Sequence, residues 1–87
     1  MINSVYYVLY KTLVFKSETG KRFKYEIYQS SDASTLTASV SYLDDFVPGI
    51  NTWVVIEPEL ILPLEHCHPE HTLCEVLKHF NDRYATE

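Results

Sequence analysis

The sequence predicts an α+β fold, an antiparallel meander of four to five strands with one C-terminal α-helix packed on one face of the sheet. Three features lead there. Runs of β-branched and aromatic residues recur between residues 4 and 64, short polar turns separate them, and one amphipathic helical pattern closes the chain. With 87 residues, 46% of them hydrophobic, residues 1–87 read as one domain without room for a second core. A chain this short buries only about 60 to 65% of the surface it exposes when unfolded, so it gains from a partner or from homodimerisation.

Ser4 to Phe15 (SVYYVLYKTLVF) and Arg22 to Gln29 (RFKYEIYQ) read as the first two strands, with Ser17-Glu18-Thr19-Gly20 as the turn and Gly20 free to take positive φ. With Lys16 opposite Lys21, Lys11 faces Glu26, and Tyr10, Thr12 and Val14 share a face with Ile27, Tyr25 and Phe23. That register satisfies charge and burial together. Ser30 to Ser34 is a polar loop. From Thr35 to Leu43 apolar Leu36, Ala38, Val40 and Tyr42 alternate with Thr35, Thr37, Ser39 and Ser41, which predicts a third strand. A helix is the rival, since Leu36, Val40 and Leu43 also have helical spacing and Asp32 would cap it, but so many hydroxyl residues suit a sheet face better.

Asp44-Asp45 and Val47 to Asn51 form the next turn, and Trp53 to Glu57 (WVVIE) is a fourth strand, with the lone tryptophan read as a core residue. Pro58 ends this strand or forces a bulge, and Leu60 to Leu64 adds a short edge strand stopped by Pro63. In the last segment Leu73, Val76, Leu77, Phe80 and Tyr84 fall in one helical stripe, opposite His71, Glu75, Lys78 and Asp82. Thr72 with Glu75 forms a capping box, and Pro69 fits the approach to the helix. Strand one is apolar on both sides, with Val5, Tyr7, Leu9 and Leu13 on one and Tyr6, Val8, Tyr10 and Val14 on the other. One helix covers only one face, so the second must meet a loop, another copy of the chain or a foreign partner. Tyr7 and Leu9, assigned to the side away from the helix, are therefore candidate partner-binding residues.

The densest cluster of reactive groups is His66-Cys67-His68-Pro69-Glu70-His71, continued by Cys74 and Glu75. Imidazole and thiolate are preferred zinc ligands, and His71 and Cys74, three apart, share one side of a helix. The spacing matches no paired two-plus-two arrangement, and an apolar core needs no metal to fold. A solvated loop is the preferred reading, with a zinc or copper site between His66 and Cys74 as the alternative. A Cys–His nucleophile would need an orienting third group and an oxyanion donor in a pocket, for which a chain with two glycines offers little. There is no cofactor fingerprint. Neither catalysis nor a bound cofactor or metal is expected. The apolar run Val5 to Tyr10 is too short for a signal peptide, and no segment approaches the roughly 20 apolar residues that span a bilayer. The expected setting is the cytoplasm, with reduced thiols and no membrane partner.

Charge is the most informative feature. The chain carries a formal net charge of -5, yet Lys11, Lys16, Lys21, Arg22 and Lys24 cluster before residue 25, and residues 25–77 contain nine acids and no lysine or arginine. We expect a basic hairpin tip and a broad acidic remainder, steered towards a basic protein partner, such as a nucleic-acid-binding protein whose site the carboxylates fill in place of phosphates. Asp44, Asp45, Glu57 and Glu59 are the candidate contacts. Direct binding of single-stranded nucleic acid, through Lys16, Lys21, Arg22 and Lys24 with Tyr25 and Tyr28, is a weaker alternative, since the acidic remainder would repel it. Val47-Pro48-Gly49, Trp53, Cys74 and Asp82-Arg83 together resemble elements of the small MbtH-like chaperones. The Ser-Leu-Trp-Pro segment of that family is absent, and nothing is carried over.

The function expected is that of a small acidic inhibitor or regulatory subunit, a class in which phage-encoded inhibitors and immunity proteins have similar size and charge. Because the core suffices without metal, the melting temperature should be the same in strong chelator as in buffer. Stoichiometric zinc or copper by elemental analysis, lost when His68 and His71 become alanine, would promote the metal reading instead.

Overall fold

The computed structural model describes residues 6–31, 36–45, 48–49, 51–62 and 69–87, with helix side chains from residue 73 onward. Four strands, β1 (Tyr7–Lys16), β2 (Arg22–Ser30), β3 (Leu36–Asp44) and β4 (Thr52–Leu62), form one antiparallel sheet in the order β1-β2-β3-β4, followed by α1 (Pro69–Arg83). This is the expected α+β meander. Residues 36–44 are a strand and not a helix, because alternation places Leu36, Ala38 and Val40 in the core and the hydroxyl residues on the other face. The extra edge strand does not form separately. β4 runs on through Pro58, and its ladder with β3 shifts register between Ala38 and Val40 and between Val40 and Ser41.

The first hairpin closes one residue later than the charge pattern suggests. Ser17 N–H donates to the Lys21 carbonyl at 2.8 Å, Ser17 Oγ accepts the Lys21 N–H at 3.0 Å, and Gly20 sits at φ +88°. Glu18, Thr19 and Gly20 thus form a three-residue loop whose last residue needs the left-handed conformation. Lys16 consequently pairs with Arg22, Phe15 with Phe23, Leu13 with Tyr25 and Lys11 with Ile27, so Lys11 does not face Glu26. A one-residue slip reverses every side chain, and the core side of β1 presents Leu13 and Phe15 in place of Thr12 and Val14. The larger apolar pair is buried, which is the energetic reason for the register. A bulge between Leu9 and Lys11 then returns Leu9 to Tyr28 and Tyr7 to Ser30, the pairing expected from the sequence.

Helix α1 lies on the Phe23, Tyr25, Ile27 side of the sheet. Its Phe80 ring stacks on Phe15 at 4.9 Å and meets Phe23 at 5.8 Å, and Tyr84 stacks on Phe23 at 4.8 Å. Val76 and Phe80 are buried, whereas Leu73 and Leu77 are exposed, so the buried stripe is narrower than expected and rotated towards His79. The helix begins at Pro69, three residues before Thr72, and proline suits a first turn because its missing N–H has no intrahelical acceptor there. Thr72 is therefore inside the helix and does not cap its start. Beyond α1 the chain is tied to the hairpin: Glu18 N–H donates to the Ala85 carbonyl at 2.8 Å, and Ser17 Oγ donates to the Glu87 carbonyl at 2.9 Å, as does Thr19 Oγ1. Trp53 pairs with Leu43 on the helix-free side and is 36% exposed, which removes it from the core.

The register has a direct test. Leu13→Lys should unfold the domain or cost several kcal/mol, whereas Val14→Lys should change thermal stability by less than about 1 kcal/mol. Equal loss in both melts would refute the observed closure of the hairpin.

Candidate functional site

The sheet face opposite α1 is built in cross-strand rows. Leu9, Tyr28, Thr37 and Ile61 are successive partners across all four strands, and Val14, Lys24, Ser41 and Val55 form a second row nearer the hairpin tip. Tyr7, Leu9, Val14, Val55 and Ile61 are exposed. Between these outer strands β3 contributes Thr37, Ser39 and Ser41, with Leu43 beside Trp53 at its end, while β2 carries Lys24, Glu26 and Tyr28, so a strip of small hydroxyl side chains runs along β3 between larger neighbours on β2 and β4 and forms a shallow trough. Thr37 and Ser41 are themselves buried by their neighbours.

One end of the trough is a hollow of about 300 Å³ lined by Tyr7, Tyr28, Thr37, Pro58 and Glu59. Tyr28 Oη donates to Glu26 Oε2 at 3.3 Å, and its ionisation is displaced upward by local desolvation first and by the Glu26 carboxylate second. Glu26 also pairs with Lys24 at 3.5 Å, while the Lys24 ammonium lies 4.6 Å from the Trp53 ring centre. The face is therefore polarised along its strands, with Lys16, Arg22 and Lys24 towards the hairpin tip and Glu26 and Glu59 towards the hollow.

Of the residues singled out from sequence, the structure brings Tyr7 and Glu59 together in this hollow, and Leu9 stands beside them opposite Tyr28. Asp44 and Asp45 lie elsewhere. They line a cleft of about 480 Å³ with Thr19, Lys21, Arg22, Tyr42, Leu43 and Asn51, so the hairpin tip is a mixed-charge region and the expected separation of basic tip from acidic remainder does not hold there. Glu57 is turned inward. It pairs with buried Val40, accepts a hydrogen bond from Tyr84 Oη at 2.7 Å and one from Arg83 at 3.4 Å, and lies 3.1 Å from His79 Nε2. The β4 bulge separates Glu57 from Glu59, which simple alternation would place on one side.

His79, Tyr25 and Tyr84 form a polar cluster with Glu57 that no motif in the sequence announces. Tyr25 Oη and His79 Nδ1 are 2.7 Å apart, and His79 is 13% exposed. His79 Nε2 faces the Glu57 carboxylate at ion-pair distance but out of line for a hydrogen bond, and has no aligned partner among the described residues. Burial, then the Glu57 hydrogen bond and charge, push the Tyr84 phenol up to about 12; burial, Tyr84 and Glu57 displace Tyr25 further, with Arg83 opposing in both. The only hint in the sequence is position: His79 is three residues beyond Val76, within one helical turn of the buried stripe.

The other candidates fare differently. Of the two tyrosines named for base stacking Tyr25 is wholly buried, and Lys21 lies over the Tyr42 ring at 4.7 Å, so only Tyr28 of that pair stands on the helix-free face. Residues 63–68 and the side chains of residues 69–72 lie outside the described residues, and with them His66, Cys67, His68 and His71; Cys74 is exposed. Among the described residues no group of three potential metal ligands occurs, and no helix is long and apolar enough to cross a membrane. No family model, no curated protein and no solved structure matches this chain.

The raised phenols set an alkaline limit. A tyrosine that ionises near 10 when unfolded and near 12 when folded stabilises the fold fully below pH 10 and loses that contribution as pH rises towards 12. The melting temperature should fall across this interval, with tyrosinate absorbance rising only on unfolding for Tyr25 and Tyr84. Tyr84→Phe should flatten the fall; an unchanged slope would show that Tyr84 ionises freely in the folded protein.

Proposed function

We propose that this chain is a non-catalytic protein-interaction module that binds a basic surface of a protein partner through its helix-free sheet face, as a small inhibitor or regulatory subunit does. The observation that carries this reading is the helix-free face itself. It exposes Tyr7, Leu9 and Ile61 near a hollow lined by Tyr7 and Glu59, and Val14 and Val55 nearer the hairpin tip, while the core is completed on the other side by Phe80 and Val76. Exposed apolar side chains gathered on one sheet face mark contact surfaces, and aromatic residues dominate their energetics. The net charge of -5 favours a basic partner through long-range steering. The acids able to contribute are fewer than composition suggests, because Glu57 is engaged with the helix and Asp44 and Asp45 share their cleft with Lys21 and Arg22.

The test is a comparison of wild type with Leu9→Lys, using immobilised protein to isolate a partner from host extract and purified components to measure affinity. Leu9→Lys should melt like wild type and bind at least tenfold more weakly, since a charge on a wet surface costs little and one inside an interface costs several kcal/mol. Association should slow as salt rises, because exposed charges are screened beyond about 8 Å at physiological ionic strength. Undiminished binding by a folded Leu9→Lys variant, or binding indifferent to salt, would overturn the proposal.

A further inference from the structure

The geometry points to the hollow lined by Tyr7, Tyr28, Thr37, Pro58 and Glu59 as a receptor for a single cationic side chain, an arginine or lysine of the protein partner. This rests on the interaction-module reading and adds which group the face reads. Three observations combine. First, the hollow has space, about 300 Å³, between a tyrosine wall on β1 and β2 and the Pro58–Glu59 bulge on β4, above the small Thr37. Second, among the described residues no lysine or arginine lines it, and Lys24, the nearest cation along β2, is four residues from Tyr28 and so about 13 Å away along the strand. Third, Lys24 is already held by Glu26 and Trp53, and among the described residues no cation pairs with Glu59, which lines the hollow.

Each candidate occupant meets these groups differently. An arginine or lysine places positive charge beside the Tyr7 and Tyr28 rings and against the Glu59 carboxylate. An apolar side chain gains the rings but leaves Glu59 losing water without a partner. An anion is repelled by Glu59 and Glu26 together. Arginine is favoured over lysine because its planar guanidinium stacks on a ring and presents paired donors to a carboxylate, while the ammonium is a compact and strongly hydrated charge. The Tyr28–Glu26 hydrogen bond supports this by orienting the Tyr28 phenol, whose oxygen keeps accepting capacity for a donor in the hollow. An exposed ion pair alone contributes little, so the rings must exclude water around it for the site to select charge.

The experiment titrates isotope-labelled full-length protein with N-acetyl-arginine amide and, separately, with the corresponding lysine, norleucine and glutamate amides, following backbone amide shifts. Arginine amide should shift Tyr7, Tyr28, Thr37 and Glu59 with saturation approached by about 50 mM, lysine less strongly, and norleucine at least fivefold more weakly. Glu59→Gln, an exposed change that leaves the core untouched, should abolish the preference for arginine over norleucine; Tyr28→Leu should weaken arginine binding severalfold while keeping the wall apolar. Equal shifts from norleucine, shifts confined to the Asp44–Asp45 cleft, or none near the hollow would each overturn the inference. The partner assay keeps the two readings apart. If Leu9→Lys loses the partner but Glu59→Gln keeps it at full affinity, the receptor site falls and the interaction face stands; if both variants keep it, both fall.

Discussion

Closure of the first hairpin at Ser17 and Lys21 is the constraint on which the other placements depend. Ser17 donates its N–H and accepts the Lys21 N–H, and Gly20 provides the left-handed residue a three-residue loop requires. Because strand side chains alternate, this single choice directs Leu13 and Phe15 inward. Phe15 in turn receives Phe80, and Phe23 receives Tyr84, so the helix docks where the hairpin has arranged aromatic rings. The same turn holds the chain beyond the helix through Ala85 and Glu87. Turn, helix end and core are one mechanical unit.

Docking of one helix on one face leaves a two-layer structure whose second sheet surface must be compatible with water or with a partner. The surface has both characters. Of its two inner strands β3 carries Thr37, Ser39 and Ser41 and β2 carries Lys24, Glu26 and Tyr28, and its outer strands carry Tyr7, Leu9, Val14, Val55 and Ile61. Small side chains along β3 between larger ones on β2 and β4 make a shallow trough.

The β4 bulges link fold to site. Pro58 cannot donate to a ladder, so the strand tolerates it where the register slips, and the slip sends Glu57 and Glu59 to different faces. Glu57 gathers Tyr84, Arg83 and His79 and fastens β4 to the helix, while Glu59 is left for the hollow. Two carboxylates two residues apart thus do different work, one structural and one available for recognition.

Much of this was legible in local pattern. Alternation along residues 35–43 favoured a strand over the rival helix and named its buried face, because hydroxyl residues at every second position suit the open side of a sheet. The terminal helix followed from the spacing of Val76, Phe80 and Tyr84. Tyr7 and Leu9 are exposed as expected for a strand apolar on both sides, although Val8 and Tyr10 on its other side are exposed as well. By itself, then, the sequence determined the class of fold, the order of the elements and the existence of an open face, since these depend on periodicity and on the count of apolar surfaces. The tertiary structure alone decided which side of β1 from Lys11 to Lys16 is buried, that Trp53 lies outside the core, that Glu57 turns in while Glu59 turns out, and that His79 meets Tyr25. Those outcomes depend on one-residue bulges and on contacts between side chains 54 positions apart, as with Tyr25 and His79. Local propensity is blind to both, because a bulge is selected by the packing it permits across the sheet and not by the residues beside it.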